Sequence, residues 1–205
     1  MAKGVFMKGY LVLENGEIFE GERFGGTQDV TCEVVFHTGM AGYMETFTDP
    51  SYFGQGIVMT YPLIGNYGVI IEDAESEKVW AKAIFIHELA ELDSNFRSNA
   101  DLNAFLRANK IPGLKDVNTR KLTKILRENG TMRGKLVSDI SNLEEILEEI
   151  RNYQIENAVE TVTRKREVTY GSGRAKQVAV IDYGVKDNII NSLLKRRSIS
   201  CCIPC

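Results

Sequence analysis

Val178-Ala179-Val180-Ile181 is an unbroken apolar run near the end of a 205-residue chain. Such a run marks a strand buried on both faces of a parallel sheet. Asp182-Tyr183-Gly184 is a turn, Ile189, Ile190, Leu193 and Leu194 mark a helix, and Ile199 to Ile203 reads as a second strand. That is one β-α-β unit, which cannot cover its own sheet faces. Residues 178–205 are therefore expected to be the truncated start of a larger doubly wound parallel-sheet domain.

The residues before it follow other periods. Apolar Tyr10 to Leu13, Asn15-Gly16, then Ile18-Phe19 predict a hairpin, broken at Gly25-Gly26. Glu33 to His37, Gly56 to Tyr61 and Val79 to Ile86 read as strands. Between them lie two glycine-rich stretches, 38–52 and 61–68, read as irregular loops. Past residue 100 the pattern turns helical. Asp101 can cap a helix with Leu102, Phe105 and Leu106 on its apolar face. Thr119 to Asn129 repeats that pattern before Gly130. Ser141-Asn142-Leu143-Glu144 reads as a capping box opening a helix to about Asn152, with Leu143, Ile146, Leu147 and Ile150 as its core stripe. These residues make a unit of 1–156. The polar, Thr-rich stretch 157–177 reads as a linker. The fold class expected is mixed α/β.

Bulk properties exclude several roles. At 43% hydrophobic and 26% charged the chain has ordinary globular composition. A net charge of -3 does not suit a nucleic-acid binder, and the one basic run, Arg164-Lys165-Arg166, is flanked by Glu160 and Glu167. Met1 to Gly16 lacks the apolar core of a secretory signal. Pro50 to Ile71 is uncharged and long enough to cross a bilayer, but Pro62, Asn66, Gln55 and four glycines read as strands and turns. No membrane contact is expected, and the location expected is cytoplasmic. Of four cysteines, Cys201, Cys202 and Cys205 crowd the end of the chain. Only distant Cys32, His37 and His87 could complete a zinc site with them, so no metal is expected.

Catalytic chemistry is sparse. The chain contains no GxSxG elbow, Walker A loop or HExxH helix. His37 and His87 sit in strand patterns and read as structural, and Cys32 has no base beside it. The loop 38–52 stands out, because long ordered loops in compact domains are usually functional. In Asp49-Pro50-Ser51-Tyr52, Asp and Pro suit the first two positions of a turn. Ser51 either presents its hydroxyl to a polar ligand or closes a local turn.

These loops carry a resemblance. Glu33 to Glu45 (EVVFHTGMAGYME), Thr48-Asp49-Pro50-Ser51-Tyr52 and Thr60 to Gly68 (TYPLIGNYG) resemble the signature stretches of carbamoyl-phosphate synthetase small subunits. So do Ser94-Asn95-Phe96-Arg97, Asn118 to Thr123 and Val178 to Asn188, in family order along the whole chain. The resemblance implies an N-terminal β/β/α domain that docks on the large subunit, and a C-terminal class I glutamine amidotransferase domain. It implies that ammonia from glutamine passes to the large subunit, which joins it to bicarbonate with ATP and Mg for arginine and pyrimidine synthesis. No cofactor is implied on this chain. The family's nucleophilic Cys and its His fall beyond residue 205, so no catalytic residue is assigned. Ser51 matches the serine that reaches bound glutamine. Met40, Ala41, Asp49, Lys186 and Asn188 are implied to lie near the domain junction. Asn118 stands where the family usually has Asp, and a local capping change is expected there. The alternatives are a non-catalytic docking module for the large subunit and a thiol enzyme using the terminal cysteines.

Overall fold

The computed structural model describes residues 7–171, 176–196 and 198–204. The expected hairpin forms as β1 (Lys8–Leu13) and β2 (Ile18–Gly25), with Gly16 at φ 85° in the turn. Then come β3 (Val30–His37), α1 (Tyr43–Thr48), β4 (Gln55–Met59), β5 (Leu63–Ile64), β6 (Ala83–Phe85) and β7 (Glu88–Leu89). The helical stretch yields α2 (Leu102–Ala108), β8 (Pro112–Lys115), α3 (Thr119–Asn129), β9 (Met132–Val137) and α4 (Leu143–Asn152). The chain continues with α5 (Ala158–Val162), β10 (Val168–Tyr170), β11 (Lys176–Asp182), α6 (Asp187–Lys195) and β12 (Ser198–Pro204).

The first part closes into a barrel in the order β1-β2-β8-β6-β4-β3-β9. Period-2 alternation sorts its side chains. Leu11, Leu13, Val34, Val58, Phe85, Leu114 and Leu136 share one cluster, against which α3 sets Leu122 and Leu126. The alternate residues Ile57, Met59, Ile84 and Ile86 pack with Tyr43, Met44 and Phe47 of α1 and with Leu102 and Leu106 of α2. Ile146 and Ile150 of α4 bury against Val12 and Val137, as the predicted stripe required.

Several expectations need correction. The stretch 38–52 is not irregular: it holds α1 and a 3-10 turn at Pro50–Tyr52. The capping box does not form, because Ser141 spends its hydroxyl on Asp139 and Asn142 makes no side-chain cap. Asn118 does cap α3, accepting from the Lys121 N–H at 2.9 Å, so Asn suffices there. Strands β8 and β9 escaped the sequence reading. They are short and lie between helices, and Gly113 and Gly134 interrupt their apolar patterns.

The stretch 157–177 is more than a linker. It contributes α5 and also β10, which pairs antiparallel with β12, while β11 pairs with β12 in parallel. The β-α-β unit is thus as expected, but β11 is not buried on both faces. Ile181 is 58% exposed, whereas α6 buries Ile190.

Candidate functional site at the barrel–sheet junction

Two runs of consecutive residues meet where the barrel touches the small sheet: Thr48-Asp49-Pro50-Ser51 after α1, and Lys186-Asp187-Asn188 opening α6. The first is set by packing under α1. Gly42 precedes that helix at φ 82° and has no side chain to cap it. The Tyr67 hydroxyl accepts from the N–H groups of Gly42 at 2.8 Å and Tyr43 at 3.1 Å in its place. The Tyr43 and Tyr67 rings stack at 4.1 Å, and the Tyr43 hydroxyl donates to the Gly68 carbonyl at 2.5 Å. Burial pushes the Tyr43 phenol well above its ordinary range. The two glycine-rich stretches are therefore one rigid body, a relationship no local sequence signal carries.

Asp49 is 8% exposed and uses both carboxylate oxygens. Oδ1 accepts from the Ser51 N–H at 2.9 Å, and Oδ2 pairs with Lys186 Nζ at 3.0 Å. That ion pair holds the Lys186 ammonium above its usual range, chiefly through the hydrogen bond to Asp49. The carboxylate closes the turn, as Asp-Pro chemistry predicts, and Ser51 stands exposed on its outer side. His37 braces the turn from behind, with Nδ1 3.3 Å from the Tyr52 hydroxyl and Nε2 3.5 Å from Thr46 Oγ1. Burial first, then the Asp49 charge, raises the Tyr52 phenol.

Across the junction, the Asp182 carboxylate is 1% exposed. Its Oδ1 accepts from the N–H groups of Gly184 and Val185 at 2.8 and 2.9 Å, shaping the turn that delivers Lys186. Arg164 clamps it with Nε 3.1 Å from Asp182 Oδ2 and a second nitrogen 3.1 Å from Asp187 Oδ1. Gly184, at φ 97°, lies so close that a Cβ there would meet Val162 Cγ2 at 2.7 Å and Pro50 Cβ at 3.0 Å.

Of the residues singled out from the sequence, Asp49, Ser51, Lys186 and Asn188 come together here. Met40, 75% exposed, and Ala41 lie on the loop ahead of α1, and no hydrogen bond among the described residues ties them to α6. Cys32 is buried in the barrel with its thiol pushed up to about 12 by desolvation. His87 faces the Val117 carbonyl at 3.3 Å. Cys201 and Cys202 hold ladder positions opposite Ala179 and Val180, and Cys205 lies outside the described residues. Among the described residues no three His, Cys, Asp or Glu side chains gather as a metal site, and no helix is long and apolar enough to cross a membrane. The sequence reading missed Glu75, and took Pro50 and Gly184 only as turn formers and Arg164 only as part of a basic run. Glu75 and Arg164 stand in charged runs that look solvated.

The family model for the carbamoyl-phosphate synthase small chain, CPSase domain, matches residues 11–136, the barrel and the Ser51 turn. The chain belongs to the carbamoyl-phosphate synthase small chain family. It is 47% identical over 190 residues to the carbamoyl phosphate synthase small chain of Clostridium perfringens, covering 93% of this chain and 54% of that one. It is 42% identical over 199 residues to the small chain of Listeria monocytogenes, covering 96% and 54%. To the pyrimidine-specific small chain of Bacillus subtilis it is 43% identical over 200 residues, covering 97% and 54%. The chain thus spans about half the length of the curated relatives it matches.

Proposed function

We propose that this chain is the docking and glutamine-positioning part of a glutamine-hydrolysing carbamoyl-phosphate synthase small chain. Residues 1–156 form the unit that meets the large chain, 157–177 join it to the next unit and lend that unit α5 and β10, and 178–205 begin the class I amidotransferase domain. Glutamine hydrolysis calls for a nucleophilic Cys and its His from the rest of the whole small chain. That Cys attacks the glutamine amide, and backbone N–H groups hold the oxyanion. The ammonia passes to the large chain, which uses bicarbonate, ATP and Mg to make carbamoyl phosphate for arginine and pyrimidine synthesis. The assembly is a cytoplasmic heterodimer, and this chain carries no cofactor of its own.

One observation carries the reading. Ser51 is exposed on a turn whose Asp49 is ion-paired to Lys186, at the opening of the amidotransferase segment. A hydroxyl so placed reaches toward a ligand held by the second unit while staying rigid on the first. The test is Ser51→Ala in the full small chain assembled with its large chain. One lost hydrogen bond, about 0.5–1.5 kcal/mol, raises KM for glutamine about 2- to 10-fold. Synthesis from free ammonia stays unchanged. An unaltered KM for glutamine rules out the role of Ser51.

A further inference from the structure

Glu75 lies in the run Glu72 to Lys78, whose charge density reads as solvated surface. Yet it is 9% exposed. Its backbone N–H donates to Thr48 Oγ1 at 2.9 Å, and that hydroxyl donates in turn to the Met44 carbonyl at 2.6 Å. Glu75 is thus seated on the end of α1, next to Asp49. Its acceptors face the other unit. The Glu75 carbonyl takes the Asp187 N–H at 2.9 Å, and Oε2 takes the Asn188 N–H at 2.9 Å.

Those two amides belong to the first turn of α6. First-turn N–H groups have no acceptor within their own helix, and the positive end of the helix dipole favours a carboxylate. Lys186, the residue at the cap position, makes no side-chain cap. The cap comes instead from a residue 113 positions away.

We infer that Glu75 is a positioning residue, a latch that fixes the orientation of the amidotransferase segment on the barrel. It works in parallel with the Asp49–Lys186 pair. Both clamps start from adjacent points on the barrel, Asp49 and the Thr48-seated Glu75, and end on three consecutive residues, 186–188. Two clamps so close together restrain rotation about a single contact, which one ion pair between a turn and a flexible lysine cannot do. The consequence for glutamine rests on the reading of Ser51; the latch itself does not.

The test is amide hydrogen exchange, followed by NMR, on this 205-residue chain as wild type, Glu75→Ala and Glu75→Gln. In Glu75→Ala the Asn188 amide exchanges about tenfold or more faster, as expected for a lost charge-assisted bond, while the Asp187 amide keeps its acceptor, the carbonyl of residue 75. Barrel amides such as Ile57 and Leu114 keep wild-type rates. In Glu75→Gln an acceptor oxygen remains, and Asn188 recovers most of its protection. Unchanged exchange at Asn188 in Glu75→Ala overturns the proposal. So does loss of barrel protection in the same variant, because Glu75 would then support the barrel as a whole rather than the junction. A Gln variant as fast as the Ala variant also overturns it, because the side-chain oxygen would not be capping α6. None of these outcomes involves glutamine, so they stand or fall separately from the KM of Ser51→Ala.

Discussion

Lys186 Nζ lies 3.0 Å from Asp49 Oδ2, joining residues 137 positions apart in the chain. This contact ties the turn that carries Ser51 to the turn that opens α6.

The pair has a pH signature. Its partner raises the Lys186 value, so the fold favours the ammonium form. The stabilisation is fully present below the ordinary lysine value of 10.5 and is lost as pH rises through the higher folded value. Lys186's side chain is 41% exposed, so solvent screening holds the pair below about 1 kcal/mol. Asp49→Asn keeps an oxygen for the Ser51 N–H but removes the charge. Urea unfolding is expected to show a deficit under about 1 kcal/mol at neutral pH that closes in strong alkali. A deficit independent of pH would show that the charge is not what matters.

Cys32 is expected to be inert while the barrel is folded. Burial raises its thiol to about 12, so the stabilisation is complete below the usual value of 9.0 and fades as pH climbs toward 12. Alkylation at pH 8, read by mass spectrometry on the peptide containing Cys32, should leave it unmodified until urea unfolds the chain. Cys32→Ser places a hydroxyl in an apolar cluster and is expected to cost about 1–3 kcal/mol.

Gly184 should tolerate no side chain. Ala at φ 97° carries about 1–2 kcal/mol of backbone strain. Its Cβ would also displace Val162 or Pro50 at the junction. Limited proteolysis of Gly184→Ala is expected to cut within 157–177 faster than in wild type while the barrel survives. Equal cutting rates would mean that the two units do not depend on this contact.

The 205 residues alone are expected to release no ammonia from glutamine, measured with a coupled glutamate dehydrogenase assay. Turnover would reject that expectation. If that turnover vanished on changing Cys201, Cys202 and Cys205 to Ser, a terminal thiol would be responsible.

Local physics was legible in the sequence wherever a signal is complete within a few residues. Asn15-Gly16 set a hairpin, Asp101 capped α2, and Asp49-Pro50 built its turn. Each needs only a side chain and the backbone two or three positions on. The Ser51 turn also stood out by its resemblance to a family motif. By contrast α1 looked like loop, because its cap is the Tyr67 hydroxyl and its apolar face is completed by β4 and β6. Glu75 carries no signal within its charged run, because the amides that it meets lie 112 and 113 residues later.

The sequence by itself therefore determined the main helices, most barrel strands, the β-α-β unit and the chemistry of the Asp49 turn, since periodicity and capping act over short distances. Only the tertiary structure decided that the barrel closes through β8 and β9. It alone brought Asp49 and Glu75 to 186–188, and left Met40 and Ala41 outside that contact. The reason is physical: a buried charge needs a partner, and nothing in a linear pattern says which distant N–H or ammonium will supply it.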